Sequence, residues 1–133
     1  MSDPLVFINP AGVAPPLGRY SHLVVVPPGA RLLVLAGQTG HAPDGNLPAD
    51  AGEQWVNAMH NIKAILASQG AGMADIVKLN TWVVAGHDIA KARSAAAGLF
   101  QDARPATTFA YVSALYLPEI LVEVEAWAAV PAL

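Results

Sequence analysis

The chain has 133 residues, the size of one ordinary domain, and 54% of them are apolar against 13% charged. That balance excludes intrinsic disorder, which needs low hydrophobicity and high charge. The net charge of −3 with no Lys/Arg cluster argues against a nucleic-acid partner, and the lack of cysteine removes disulfides, thiol nucleophiles and thiolate metal sites. So few charges cover a domain surface poorly, which predicts that apolar surface is buried against other copies of the chain. The longest uncharged stretch, residues 4–18, is broken by four prolines and falls short of the about 20 apolar residues a membrane span needs. No basic segment precedes an apolar run, so no secretory signal is expected and a cytoplasmic location is.

In chain order, Leu5 to Ile8 reads as a short strand closed by Asn9-Pro10. Tyr20 to Val26 is a second strand, ended by Pro27-Pro28-Gly29, and Leu32 to Thr39 a third, apolar enough to be buried on both faces. Their closeness predicts an antiparallel hairpin between the second and third. A helix follows, with Asp50 as N-cap, Glu53 three residues later, and Trp55, Met59, Ile62, Ile65 and Leu66 at helical spacing. Gly70 is placed to end it in the left-handed conformation. Ile76 to Val84 is a fourth strand, and a second helix is expected from Asp88 through Ile89, Ala92, Ala96, Leu99 and Phe100. Thr107 to Ser113 and Leu121 to Ala129 complete six strands. In the last, Glu123, Glu125 and Trp127 share one face, and Val122, Val124 and Ala126 the other. The predicted order is βββαβαββ, one α+β domain over 1–133 with a ferredoxin-like core of the βαββαβ kind. Two helices are expected on one face of a mixed six-stranded sheet.

No HExxH, P-loop, GxGxxG or GxSxG pattern is present, so chemistry must rest on a few polar groups in a cleft. The blocks Gly18-Arg19-Tyr20-Ser21, Ala36-Gly37-Gln38, Asn61-Ile62-Lys63, Asp75-Ile76-Val77-Lys78, Arg104-Pro105-Ala106, Leu117-Pro118 and Val122-Glu123-Val124-Glu125-Ala126 occur in an order and spacing that span nearly the whole chain. Together they resemble the Rid family (reactive intermediate deaminases, YjgF-like, with the older annotation L-PSP endoribonuclease). The resemblance implies a chorismate-mutase-like fold, a homotrimer, and ligand clefts between subunits. It also implies hydrolysis of enamines and imines derived from amino acids, with ammonia released and neither metal nor organic cofactor needed.

In that family an arginine directly after Pro-Ala clamps the substrate carboxylate; here the position is Thr107, so the chain resembles Rid subfamilies that lack the arginine. The resemblance implies that Glu123 holds or deprotonates the attacking water. Tyr20, Gly37, Gln38 and Thr107 are the expected substrate-binding positions. Arg93 joins them as a displaced positive charge on the second helix. No metal ligand is expected. The leading function is hydrolysis of an enamine, imine or related reactive carbonyl metabolite. The alternative is a metabolite-binding or interaction protein that keeps the cleft without turnover, favoured by the missing arginine. A ribonuclease is carried by family naming alone and opposed by the acidic balance.

Overall fold

The order βββαβαββ is realised in a computed structural model that describes residues 3–132. The strands are β1 (Val6–Ile8), β2 (Leu23–Val25), β3 (Arg31–Val34), β4 (Ile76–Val84), β5 (Ala106–Val112) and β6 (Val122–Val130). The helices are α1 (Ala51–Ala67) and α2 (Ala90–Ala95), with a short 3₁₀ turn at Met73–Asp75 leading into β4. The class is α+β, as expected.

Pairing departs from the expectation of one six-stranded sheet. A two-stranded sheet joins β1 to β2 antiparallel, Val6 opposite Val25, and a separate four-stranded sheet has the order β3-β6-β4-β5. The expected hairpin between β2 and β3 does not form. Pro27 and Pro28 remove two backbone donors where it would close, and β1 and β6 offer these strands other partners. Within the large sheet β4 and β5 are parallel, with α2 as their crossover, while β6 runs antiparallel to both β3 and β4. The β3-α1-β4 unit is therefore split, with β6 inserted between its strands.

The α1 start follows its sequence signal, since the Asp50 carboxylate accepts from the Glu53 amide at 3.0 Å. Past its end Gly70 has φ +72°, the left-handed conformation that costs glycine little. The apolar stripe Trp55, Ala58, Met59, Ile62 and Leu66 is buried against Leu79 and Val83 of β4 and Val122, Val124 and Ala126 of β6. Ile65, expected in that stripe, lies exposed. Burying each large side chain of this set contributes about 1.5–3 kcal/mol. Among the described residues no layer covers the opposite face of the sheet: Val34 and its register partner Trp127 remain 60% and 41% exposed.

The second helix is shorter than expected. Beyond Ala95 the bonds tighten to the i−3 pattern, from Ala97 to Ser94, Leu99 to Ala96 and Gln101 to Gly98. Gly98 weakens any continuation, and Gln101 adopts a positive φ of 54°. Leu99 and Phe100 still pack against the core, although from turns rather than from helix.

Candidate functional site

Tyr20, expected in a strand, sits in the loop before β2, which starts three residues later. The loop is tied down locally. The Tyr20 hydroxyl accepts from the Leu17 amide at 3.2 Å, which leaves its own proton free, and the Ser21 amide points to the Pro105 carbonyl at 3.4 Å. That carbonyl also accepts from the Thr107 hydroxyl at 3.0 Å. The loop and the start of β5 thus meet at one oxygen.

They form one end of a cavity of about 750 Å³, whose other walls come from α2 and the turns after it. Tyr20, Thr107 and Arg93 all line it, together with Trp55, Phe100 and Phe109. The Arg93 guanidinium carbon lies 4.9 Å from the centroid of the Phe109 ring, a cation–π arrangement. Phe109 was not among the expected site residues. The alternation of β5 could have found it, because it lies two positions past Thr107 on the same face. Leu79 and Thr81 of β4, paired in register with Thr107 and Phe109, form the cavity floor.

The other expected residues lie elsewhere. Glu123 pairs with Trp82 in β6–β4 register, while Thr81 pairs with Val124. Strand alternation therefore puts Glu123 on the uncovered face of the sheet, and Thr107 and Phe109 on the helix-covered face. Gly37 stands with Glu123, whereas Gln38 is paired with Val124 and lies near Ile65 and Leu66 of α1. The expected third strand stops at Val34, because an unbroken register would set Gly37 opposite Val124, and it is Gln38 that bridges to Val124. One extra residue is accommodated at Ala36-Gly37, a β-bulge.

The Gln38 amide and carbonyl bond Val124 at 2.7 and 2.9 Å, and its side-chain amide folds back onto the Ala36 carbonyl at 3.1 Å. Its side chain thus closes the bulge. At Gly37 the backbone approaches Glu123 so closely that a Cβ would overlap the carboxylate, its Cδ lying 2.9 Å away. Only glycine leaves Glu123 this resting place.

The two acids of β6 differ in their partners. Glu125 accepts from the Asn80 side-chain amide at 2.8 Å, whereas Glu123 has no hydrogen-bond partner among the described residues. Asn80 reads from the sequence as sheet filling, since nothing short of the β4–β6 register shows that it faces Glu125. Its Oδ1 is buried without a partner, on the same uncovered face. Among the described residues no three His, Asp or Glu side chains cluster to hold a metal ion, and no helix is long and apolar enough to cross a membrane.

The model of the family described as Endoribonuclease L-PSP matches residues 11–130 of this chain. A RutC family protein of Pyrococcus abyssi is 32% identical over 113 residues, covering 84% of this chain and 86% of that protein. The crystal structure of YyfB from Yersinia pestis, a protein of unknown function in the conserved Rid family, superposes with TM-score 0.81 at 34% identity, covering 95% of this chain and 98% of that one. RidA from an Antarctic Psychrobacter gives TM-score 0.69 at 26% identity over 87% of this chain and 92% of its own. The glycine-backed glutamate, the Arg-Pro-Ala lead into β5 and the split βαβ sheet thus sit in a chain that belongs to the Endoribonuclease L-PSP family, the Rid or YjgF-like proteins.

Proposed function

We propose that this protein is a small-molecule hydrolase of the Rid type, a single-domain chain acting in the cytoplasm as a homotrimer on an enamine, imine or related reactive carbonyl metabolite. It belongs to a subgroup in which Thr107 stands where a carboxylate-binding arginine is found in other members. The observation that carries the reading is the division of the site between the two faces of one sheet. The cavity holding Tyr20, Arg93 and Thr107 contains no carboxylate or imidazole among its lining residues, and Glu123 lies across the sheet from it. One chain alone can bind at this cavity without activating water. A second copy that docks its uncovered face, with Glu123 and Gly37, against the first copy's cavity completes a cleft that can do both.

In that cleft the Glu123 carboxylate takes a proton from water as the water oxygen attacks the C=N carbon. That proton passes to the nitrogen to give a carbinolamine; the carbinolamine hydroxyl then gives up its proton, which is carried to the amino nitrogen as the C–N bond breaks, and ammonia leaves a carbonyl product. Tyr20, whose phenolic proton is free, donates to the developing charge on the ligand. No metal or organic cofactor is required by these steps. The ribonuclease activity that the family name carries is opposed by the net charge of −3 and the absence of a basic stripe.

The test is decay of imines generated in place from amino acids by an amino-acid oxidase, followed by release of oxo acid and ammonia. Wild-type protein is expected to accelerate it, and Glu123→Gln to lower kcat by about 10²–10⁴-fold with the assembly intact. The division of the site also favours the second reading, a binding protein without turnover. Tight ligand binding with no acceleration of any imine, charged or neutral, would establish that reading instead.

A further inference from the structure

Three arginines line the cavity, and their guanidinium groups differ in how they are engaged. Arg104 donates from Nη1 to the carbonyls of Gln101 and Ala103 at 3.0 and 2.9 Å. Arg19 is exposed on the loop at the cavity mouth and, among the described residues, is held by nothing. Arg93 lies over the Phe109 ring at 4.9 Å, a contact that uses none of its N–H donors. Among the described residues no hydrogen bond or ion pair engages those donors either, and no carboxylate lines the cavity to compete for them.

Thr107 cannot serve an anion in its place. Its hydroxyl proton goes to the Pro105 carbonyl, so the oxygen is left to accept rather than donate. The cation in this cavity is instead Arg93, at the ring of Phe109, a residue two positions (about 7 Å) along β5 from Thr107. Between these positions and beyond them the walls are apolar: Trp55, Leu79, Ala97, Phe100 and Phe109.

We infer that Arg93 is the residue that selects ligands for this cavity, reading a carboxylate carried on an apolar body longer than that of pyruvate. A carboxylate takes two parallel N–H bonds from a planar guanidinium fork, and the Phe109 ring beside Arg93 leaves those donors free to make them. The apolar walls then cover the ligand's carbon skeleton, which a two-carbon body reaches only in part. This rests on the cavity being the ligand site of the proposed enzyme, but binding tests it without turnover.

The experiment is calorimetric titration of the full chain with 4-methyl-2-oxopentanoate, its neutral amide, and pyruvate. The wild type is expected to bind the longer acid at least about 10-fold more tightly than either of the others. Arg93→Gln, at an exposed position that the fold does not need, is expected to lose about 10- to 150-fold for the acid and leave the amide unchanged. Arg93→Lys keeps part of the gap, and Lys91→Gln, one charge removed from the same helix outside the cavity, keeps all of it. The inference is overturned if acid and amide bind equally, if pyruvate binds as well as the longer acid, or if none of the three binds. It is also overturned if the gap survives Arg93→Gln or disappears in Arg19→Gln. Turnover is read separately. A preserved gap with no hydrolysis sinks the hydrolase and leaves Arg93 as the selector, whereas hydrolysis without the gap does the reverse.

Discussion

Gln54 and Gly37 carry more structure than their chemical simplicity suggests. Gln54 is fully buried in α1, where its amide donates to the carbonyls of Pro48 and Glu119 at 2.8 and 3.0 Å and its oxygen accepts from the Leu121 amide at 2.8 Å. It ties the loop before α1 to the segment that enters β6. Gln54→Leu leaves three backbone groups unpaired and is expected to lower stability by about 3 kcal/mol or more, read as a shift in the urea midpoint. Gly37→Ala should behave differently. The added methyl meets the flexible end of Glu123 rather than backbone, so the fold yields there and the carboxylate moves. We expect a nearly unchanged unfolding midpoint with activity reduced about 10- to 100-fold, because small misplacements of a reacting group cost that much. Unchanged activity in this variant would show that the resting place of Glu123 is irrelevant to the chemistry.

Among the elements, β4 matches its expected span, Ile76–Val84, because nine alternating residues without glycine or proline leave no competing reading. The first helix is equally legible from Asp50, Glu53 and its apolar stripe. The second is not. Its alanine-rich stretch has helical spacing as far as Phe100, but none of the residues Ala90–Ala95 is fully buried, so the partial packing of Ala92 and Ala96 does not carry the helix past Gly98. Gly98 has no left-handed backbone and open space where a Cβ would stand. Gly98→Ala is therefore expected to raise stability by about 0.4–1 kcal/mol, seen as a higher urea midpoint. A loss of stability would mean that the turn needs glycine for a reason its geometry does not reveal.

The whole molecule presents an uncovered sheet face carrying Val34, Trp127, Glu123, Glu125 and Asn80, with one of the Asn80 acceptor atoms buried and unpartnered. A face of that composition fits a second copy better than it fits water. Light scattering is expected to give about three times 13.8 kDa at micromolar concentration. Val34→Asp places a charge on this face, at the end of the edge strand β3, where the side chain is already exposed in one chain. It should yield a folded monomer with native circular dichroism and no turnover, although Tyr20, Arg93 and Thr107 are unchanged. An active monomer would refute the shared cleft.

Local chemistry in the sequence determined the order and type of the elements, where α1 is capped, and which residues of β6 share a face. Each depends on neighbours a few positions apart. Tertiary structure decided the rest, because partners come from distant segments. Two prolines turn β2 away from β3, β6 inserts between β3 and β4, and one extra residue at Ala36-Gly37 sets the backbone against Glu123. The same long-range register decided that Tyr20, Arg93 and Thr107 share a cavity while Glu123 and Gly37 stand behind the sheet. Alternation within one strand says which residues share a face, but only pairing between strands, with a helix laid on one side, says which face is which.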